Sequence, residues 1–68
     1  MLSTEQKPKF SLKELRARHN ETQAETANAL GISQTSYNYW ENNISKIAIG
    51  KVIAIAEHFG VTLDQIQL

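Results

Sequence analysis

The segment from Thr22 to Glu41, TQAETANALGISQTSYNYWE, limits what this chain can fold into more than any other stretch. Two short helical patterns flank Ala29-Leu30-Gly31-Ile32-Ser33. Gly31 can take the left-handed backbone conformation that ends a helix without the steric cost of a Cβ. Ile32 then points inward, and Ser33 is placed to cap the next helix by accepting a backbone N–H. A connection this short imposes a large angle between the two helices, so the second is carried across the first and projects outward.

The flanking sequence supplies the body that such a pair needs. Residues 1–10 are polar, hold the only proline and show no apolar period, so they read as a flexible N-terminal arm. Ser11-Leu-Lys-Glu14 has the spacing of a capping box and opens a first helix, with Leu12, Leu15 and His19 on one face. Asn20 and Glu21 form a connector. Thr22-x-x-Glu25 is a second capping box, and Ala24, Ala27 and Leu30 supply the buried stripe of the second helix. The third helix runs from Gln34 to about Asn42 and buries Tyr37 and Trp40. Asn43 is expected in the left-handed position at its end, as the next best residue to glycine. Ile44 to Ala48 reads as a loop. Ile49 to Phe59 forms a fourth helix whose Val52, Ile53, Ile55, Ala56 and Phe59 mark it as the central core helix, closed by Gly60. Thr62-Leu-Asp-Gln65 repeats the capping-box spacing and predicts a short fifth helix through Leu63 and Ile66. The expected architecture is an all-α domain over residues 11–68.

A glycine turn between two strongly crossed helices is a helix-turn-helix, and the second helix of that motif fits the major groove of DNA. The residues at this spacing resemble the phage-repressor or Cro-like helix-turn-helix domains of bacterial and phage transcriptional regulators. The likeness runs from about Leu12 to Ile66. It is carried by Leu15-Arg16, Thr22-Gln23, Ala27, Gly31, Ser33-Gln34, Glu41, Ala56 and Phe59-Gly60-Val61-Thr62-Leu63. The resemblance implies a five-helix, lambda-repressor-like domain with its motif at helices two and three.

It also implies a set of roles. Gln23 would bond a DNA phosphate and brace Gln34. Gln34 and Thr35 would open the recognition helix, with Asn38 and Tyr39 one turn further along the same exposed face. Asn42 and the loop after it would contact phosphate. Arg16 and Glu41 match positions that commonly pair inside the fold. The chain departs from the pattern at Thr26 (usually leucine), Asn43 (usually glycine), Ile47 (often proline) and Trp40 (usually aliphatic). These departures bear on core packing and on the placement of the phosphate-binding loop.

Chemistry supports the base-reading assignment independently. A glutamine amide sets donor and acceptor side by side, matching adenine N6 and N7, and Gln34 stands at the helix start that enters the groove. Thr35 can meet a thymine methyl, Asn38 an adenine or the backbone, and Tyr39 a phosphate or a thymine methyl. Ser36 either bonds a phosphate or faces inward. Gln23 and the N–H groups opening the second helix can hold a phosphate, opposed by Glu21 and Glu25 nearby. Asn42, Asn43 and Lys46 form a candidate phosphate clamp, and Lys9 can reach backbone from the arm. Arg16 and Glu41 are assigned to structure, because a guanidinium can bridge the end of the third helix through two parallel bonds.

At 68 residues, with no cysteine, the chain is one small domain held by helix packing alone. Net charge is zero but unevenly placed. Lys7, Lys9, Lys13, Arg16 and Arg18 face only Glu5 and Glu14 in the first 20 residues, while the remainder carries the matching acidic excess. So small a local excess weakens phosphate binding by a monomer, which favours a homodimer on a double-stranded operator. Leu63, Ile66 and Leu68 offer either a dimer seam or a cap over the core. No nucleophile motif, glycine-rich phosphate loop or metal-ligand spacing supports an enzyme, a metal or a cofactor. No membrane span or small-molecule ligand is expected, and the cytoplasm is the simplest address. The competing reading is a protein-interaction module on the same fold, such as an antitoxin that mainly grips a partner. Neutral net charge favours that reading, and the row of glutamine and asparagine on the third helix opposes it.

Overall fold

The structure, a computed structural model, describes residues 8–68. Residues 1–7 of the segment read as an arm lie outside the described residues. Four α-helices follow one another: α1 (Leu12–Arg18), α2 (Gln23–Leu30), α3 (Gln34–Asn42) and α4 (Ile49–Phe59). Their starts are written locally. Ser11 Oγ accepts from Glu14 N at 3.1 Å while the Glu14 carboxylate accepts from Ser11 N at 2.8 Å, and Thr22 and Glu25 repeat both bonds at the same distances. Each reciprocal pair satisfies two N–H groups that the helix leaves unbonded. Ser33 Oγ caps α3 through Ser36 N at 3.1 Å.

Helix ends are equally local. Gly31 (φ 74°) and Gly60 (φ 70°) are left-handed. In each case the next residue's N–H reaches back across the last turn, Ile32 to Ala27 O and Val61 to Ala56 O, both at 3.0 Å. Asn20 closes α1 the same way, with φ 56° and Glu21 N bonded to Arg16 O at 3.0 Å. The left-handed asparagine is thus Asn20. Asn43, expected there, has φ −140°. Its chain continues into a 3₁₀ turn at Ile44–Lys46 inside the predicted loop, held by Lys46 N to Asn43 O at 2.8 Å.

The predicted fifth α-helix is not formed among the described residues. Thr62 and Gln65 do make their capping box, but it opens only a 3₁₀ turn at Leu63–Gln65. One turn of helix gains too few hydrogen bonds to repay nucleation. The chain instead extends at Ile66, which is buried and pairs with Phe10 in an isolated parallel bridge. Phe10 N donates to Gln65 O at 2.7 Å and Gln67 N to Phe10 O at 2.8 Å.

The core is Leu12, Leu15, Ala27, Tyr37, Trp40, Val52, Ile55, Ala56, Phe59 and Ile66, with Phe10, Leu30, Ile32, Ile44, Ile47 and Val61 packed against it. Three expected members stand elsewhere. Ala24 is exposed and Thr26 takes the buried place on α2. His19 is exposed, with its ring edge-tilted 5.2 Å from Phe59. Ile53 is also exposed, because α4 is apolar nearly all round while only one side of it meets the other helices.

Candidate nucleic-acid interface

The α2–turn–α3 unit presents one side of α3 to the core and the other to solvent. Tyr37 and Trp40 are buried, whereas Gln34, Thr35, Asn38, Tyr39 and Asn42 are exposed. Gln34, Asn38 and Asn42 lie four residues apart, so they form a row along the helix surface. Gln23, from the first turn of α2, joins Gln34, Thr35 and Asn38 around an open cleft of about 290 Å3. The two helices therefore contribute to one polar surface. Ser36 is also exposed, and its hydroxyl accepts from Ser33 Oγ at 3.0 Å.

Beneath that surface lies a charged clasp. Arg16 of α1 donates to Glu41 of α3 through Nε at 2.5 Å and through a second guanidinium nitrogen at 3.4 Å. A third donor reaches the Glu21 carbonyl at 3.1 Å. Gln23 Nε2 then donates to both Glu41 Oε1 and Asn38 Oδ1, each at 3.0 Å. The expected brace from Gln23 thus runs to Asn38 and Glu41 rather than to Gln34. Burial disfavours the Glu41 charge, but the bonds from Arg16 and Gln23 outweigh it and hold this carboxyl below the ordinary glutamate range. The same bond to Glu41 raises the Arg16 pKa. Tyr37 lies fully buried beside the pair, and burial pushes its phenol well up, yet no hydrogen bond of normal geometry reaches its hydroxyl.

This geometry is that of a helix-turn-helix, and the family model described as Helix-turn-helix matches residues 12–66. The chain belongs to the Cro-like helix-turn-helix family. Members of that family are DNA-binding transcription regulators. Neither a curated protein nor a solved structure matches the chain.

The remaining residues of interest in this Cro-like domain are dispersed. Asn42 Nδ2 donates to Asn38 O at 2.9 Å and Asn43 Nδ2 to Tyr39 O at 3.0 Å, so each spends one proton on the last turn of α3. Lys46 is exposed on the 3₁₀ turn that follows. Lys9 lines a different depression, with Leu63, Asp64, Ile66, Gln67 and Leu68. Trp40 packs in the core with Lys51 Nζ 5.5 Å from its ring.

A second clasp was not anticipated from the sequence. Glu21 Oε1 accepts from Thr26 Oγ1 at 2.6 Å and is 2.8 Å from His58 Nε2. The bonds from His58 and Thr26 lower the Glu21 pKa. Thr26 occurs where the family usually has leucine, and its buried hydroxyl is satisfied by this carboxylate. The only signal in the sequence was that departure itself. Among the described residues no helix is long and apolar enough to cross a membrane, and no cluster of metal-ligating side chains is found.

Proposed function

We propose that this domain is a sequence-specific repressor that binds a double-stranded operator as a homodimer, with α3 in the major groove. The observation that carries the reading is the division of α3. Its aromatic residues are buried while Gln34, Thr35 and Asn38 stand together on an open polar surface with Gln23. Gln34, at the first turn, pairs its amide with a base edge, Thr35 packs on a thymine methyl, and Asn38 and Tyr39 read or flank the next step. Asn42, Asn43 and Lys46 hold phosphate beyond the end of α3. Both amide protons of Gln23 are spent inside the protein. A phosphate at the start of α2 is therefore held by backbone N–H groups there, and Gln23 Nε2 does not supply the contact. Lys9 engages backbone only if DNA reaches the side of the domain where it sits.

The dimer contact is assigned to the apolar surface of Ile49, Ile53, Leu63 and Leu68, all exposed. Ile66 is excluded from that seam because it is buried in its own core. The reading places the protein in the cytoplasm of a bacterium or a phage-infected cell.

The test is a titration against duplexes selected from random sequence. Gln34→Ala is expected to reduce discrimination between the selected site and a scrambled one by about 1–3 kcal/mol. Unchanged discrimination would refute the role of α3. The second reading, a protein-interaction module, is favoured by the zero net charge and by an apolar groove lined by Ile44, Ile47, Ile49, Val52, Leu63 and Leu68. Salt separates the two. Duplex affinity that falls steeply with ionic strength marks a DNA binder, whereas negligible duplex affinity at any salt marks the partner-binding module.

A further inference from the structure

The Gln23 and Asn38 amides on the α2–α3 surface are oriented by the ion pair beneath them, and hydrogen-bond polarity runs one way through the network. Arg16 has only donors, so the Glu41 oxygens it touches accept. Glu41 Oε1 also meets the Gln23 amide at 3.0 Å. A carboxylate takes only donors, so Gln23 must present its nitrogen there; the opposite flip would set oxygen against oxygen. The second proton on the same nitrogen goes to Asn38 Oδ1, also at 3.0 Å. Asn42 Nδ2 adds a longer approach to that oxygen at 3.5 Å. Asn38 therefore spends its acceptor inside the protein. Its Nδ2 has no protein partner among the described residues and belongs to an exposed side chain lining the open cleft with Gln34 and Thr35.

We infer that Asn38 is a donor-only reader that selects a keto base, guanine or thymine, in the major groove. The inference rests on the proposed entry of α3 into that groove and deepens it by naming the base class. Guanine O6 and N7 and thymine O4 are acceptors, while cytosine offers only its N4 donor. Adenine N7 still accepts one proton, but its N6 amino group then faces the amide's second donor. An asparagine free to turn would do the reverse, accepting from adenine N6 while donating to N7. Gln23 is a positioning residue in this arrangement, since it acts on DNA through Asn38.

The experiment is selection of bound sequences from a random duplex pool by the wild type, Asn38→Ala, Asn38→Asp and Gln23→Met. The base read by Asn38 is the position whose preference disappears in Asn38→Ala. There the wild type is expected to hold guanine or thymine about tenfold above adenine or cytosine. Asn38→Asp keeps an oxygen for Gln23 and turns an acceptor outward, so the same position moves to adenine or cytosine. Gln23→Met keeps the length of the side chain but removes its donor, freeing Asn38 to turn, and adenine rises to within about twofold of guanine. Bases are compared within one protein, so the general loss of affinity from a new negative charge cancels. Asn38→Asp changes an exposed residue, and it keeps the test open should Gln23→Met not fold. A wild-type preference for adenine at that position overturns the inference, as does a keto preference that survives in Asn38→Asp or the absence of any position that responds to Asn38→Ala. A wild type that selects no duplex sequence at all overturns the proposed function, and the reading of Asn38 falls with it.

Discussion

Glu41 and Glu21 each tie several elements together, but their partners differ in kind. Glu41 joins α3 to Arg16 of α1 and Gln23 of α2. Glu21, in the connector before α2, joins Thr26 of α2 to His58 of α4. Arg16 touches both clasps, through the Glu41 carboxylate and the Glu21 carbonyl. The guanidinium keeps its charge at every working pH. Glu41 is also the more enclosed, its side chain 7 % exposed against 24 % for Glu21. The contrast shows where permanence is needed. The clasp beneath the open polar surface of α3 rests on a fixed charge, while the one around Glu21 rests on a threonine and a histidine ring.

Breaking the first clasp is expected to cost most. Glu41→Gln leaves Arg16 enclosed without its counter-charge, a loss of about 3 kcal/mol in chemical denaturation, at the lower end for a buried pair because Arg16 keeps some exposure. A loss below about 1 kcal/mol would place this pair with ordinary surface bridges. The pH dependence has a definite sign. The Glu41 pKa is lowered in the folded state, so its stabilisation is present above the ordinary glutamate value of 4.5 and disappears as pH falls through the folded value. The gap between wild type and Glu41→Gln should therefore narrow in acid; a gap that is constant from neutral pH downward contradicts the assignment.

The second clasp is weaker. Thr26→Val keeps the buried shape and removes one donor to Glu21, with an expected loss of about 1 kcal/mol in thermal or urea unfolding. Glu21→Gln retains an acceptor for both partners and should cost less, about 0.5–1 kcal/mol. Its acid dependence has the same sign as that of Glu41, because its pKa is also lowered. If Glu21→Gln destabilised more than Glu41→Gln at neutral pH, the ranking of the two clasps would be reversed. Tyr37→Phe marks the boundary of the first. Its hydroxyl is buried without a normal hydrogen bond, so removal should be neutral or slightly stabilising. A cost above about 1 kcal/mol in the same assay would make Tyr37 a working member of the Arg16–Glu41 clasp.

Local chemistry made most of the helices legible. The Ser11–Glu14 and Thr22–Glu25 boxes, the Ser33 cap and the two left-handed glycines are each set by contacts within about five residues along the chain. Thr62 and Gln65 obey the same rule, yet a capping box cannot distinguish a 3₁₀ turn from the start of an α-helix. There the bridge between Phe10 and Ile66, more than fifty residues apart in sequence, decided the outcome. Asn20 and Asn43 are alike in propensity. Only the chain path after each determines which becomes left-handed. Thr26 reads as a surface residue by polarity, and it is buried because Glu21 meets its hydroxyl.

The row Gln34, Thr35, Asn38 and Asn42 follows from helical periodicity, since burying Tyr37 and Trp40 turns those residues outward. Composition and spacing alone thus determined that α3 carries amides on its open side. Which atom of the Asn38 amide faces solvent was decided by the tertiary structure. Donor and acceptor ends of an asparagine are nearly identical in size, so packing cannot choose between them, and a fixed charge must. Here that charge comes from Arg16, set against Glu41 by the docking of α1 on α3, across a separation of 25 residues that no local pattern encodes.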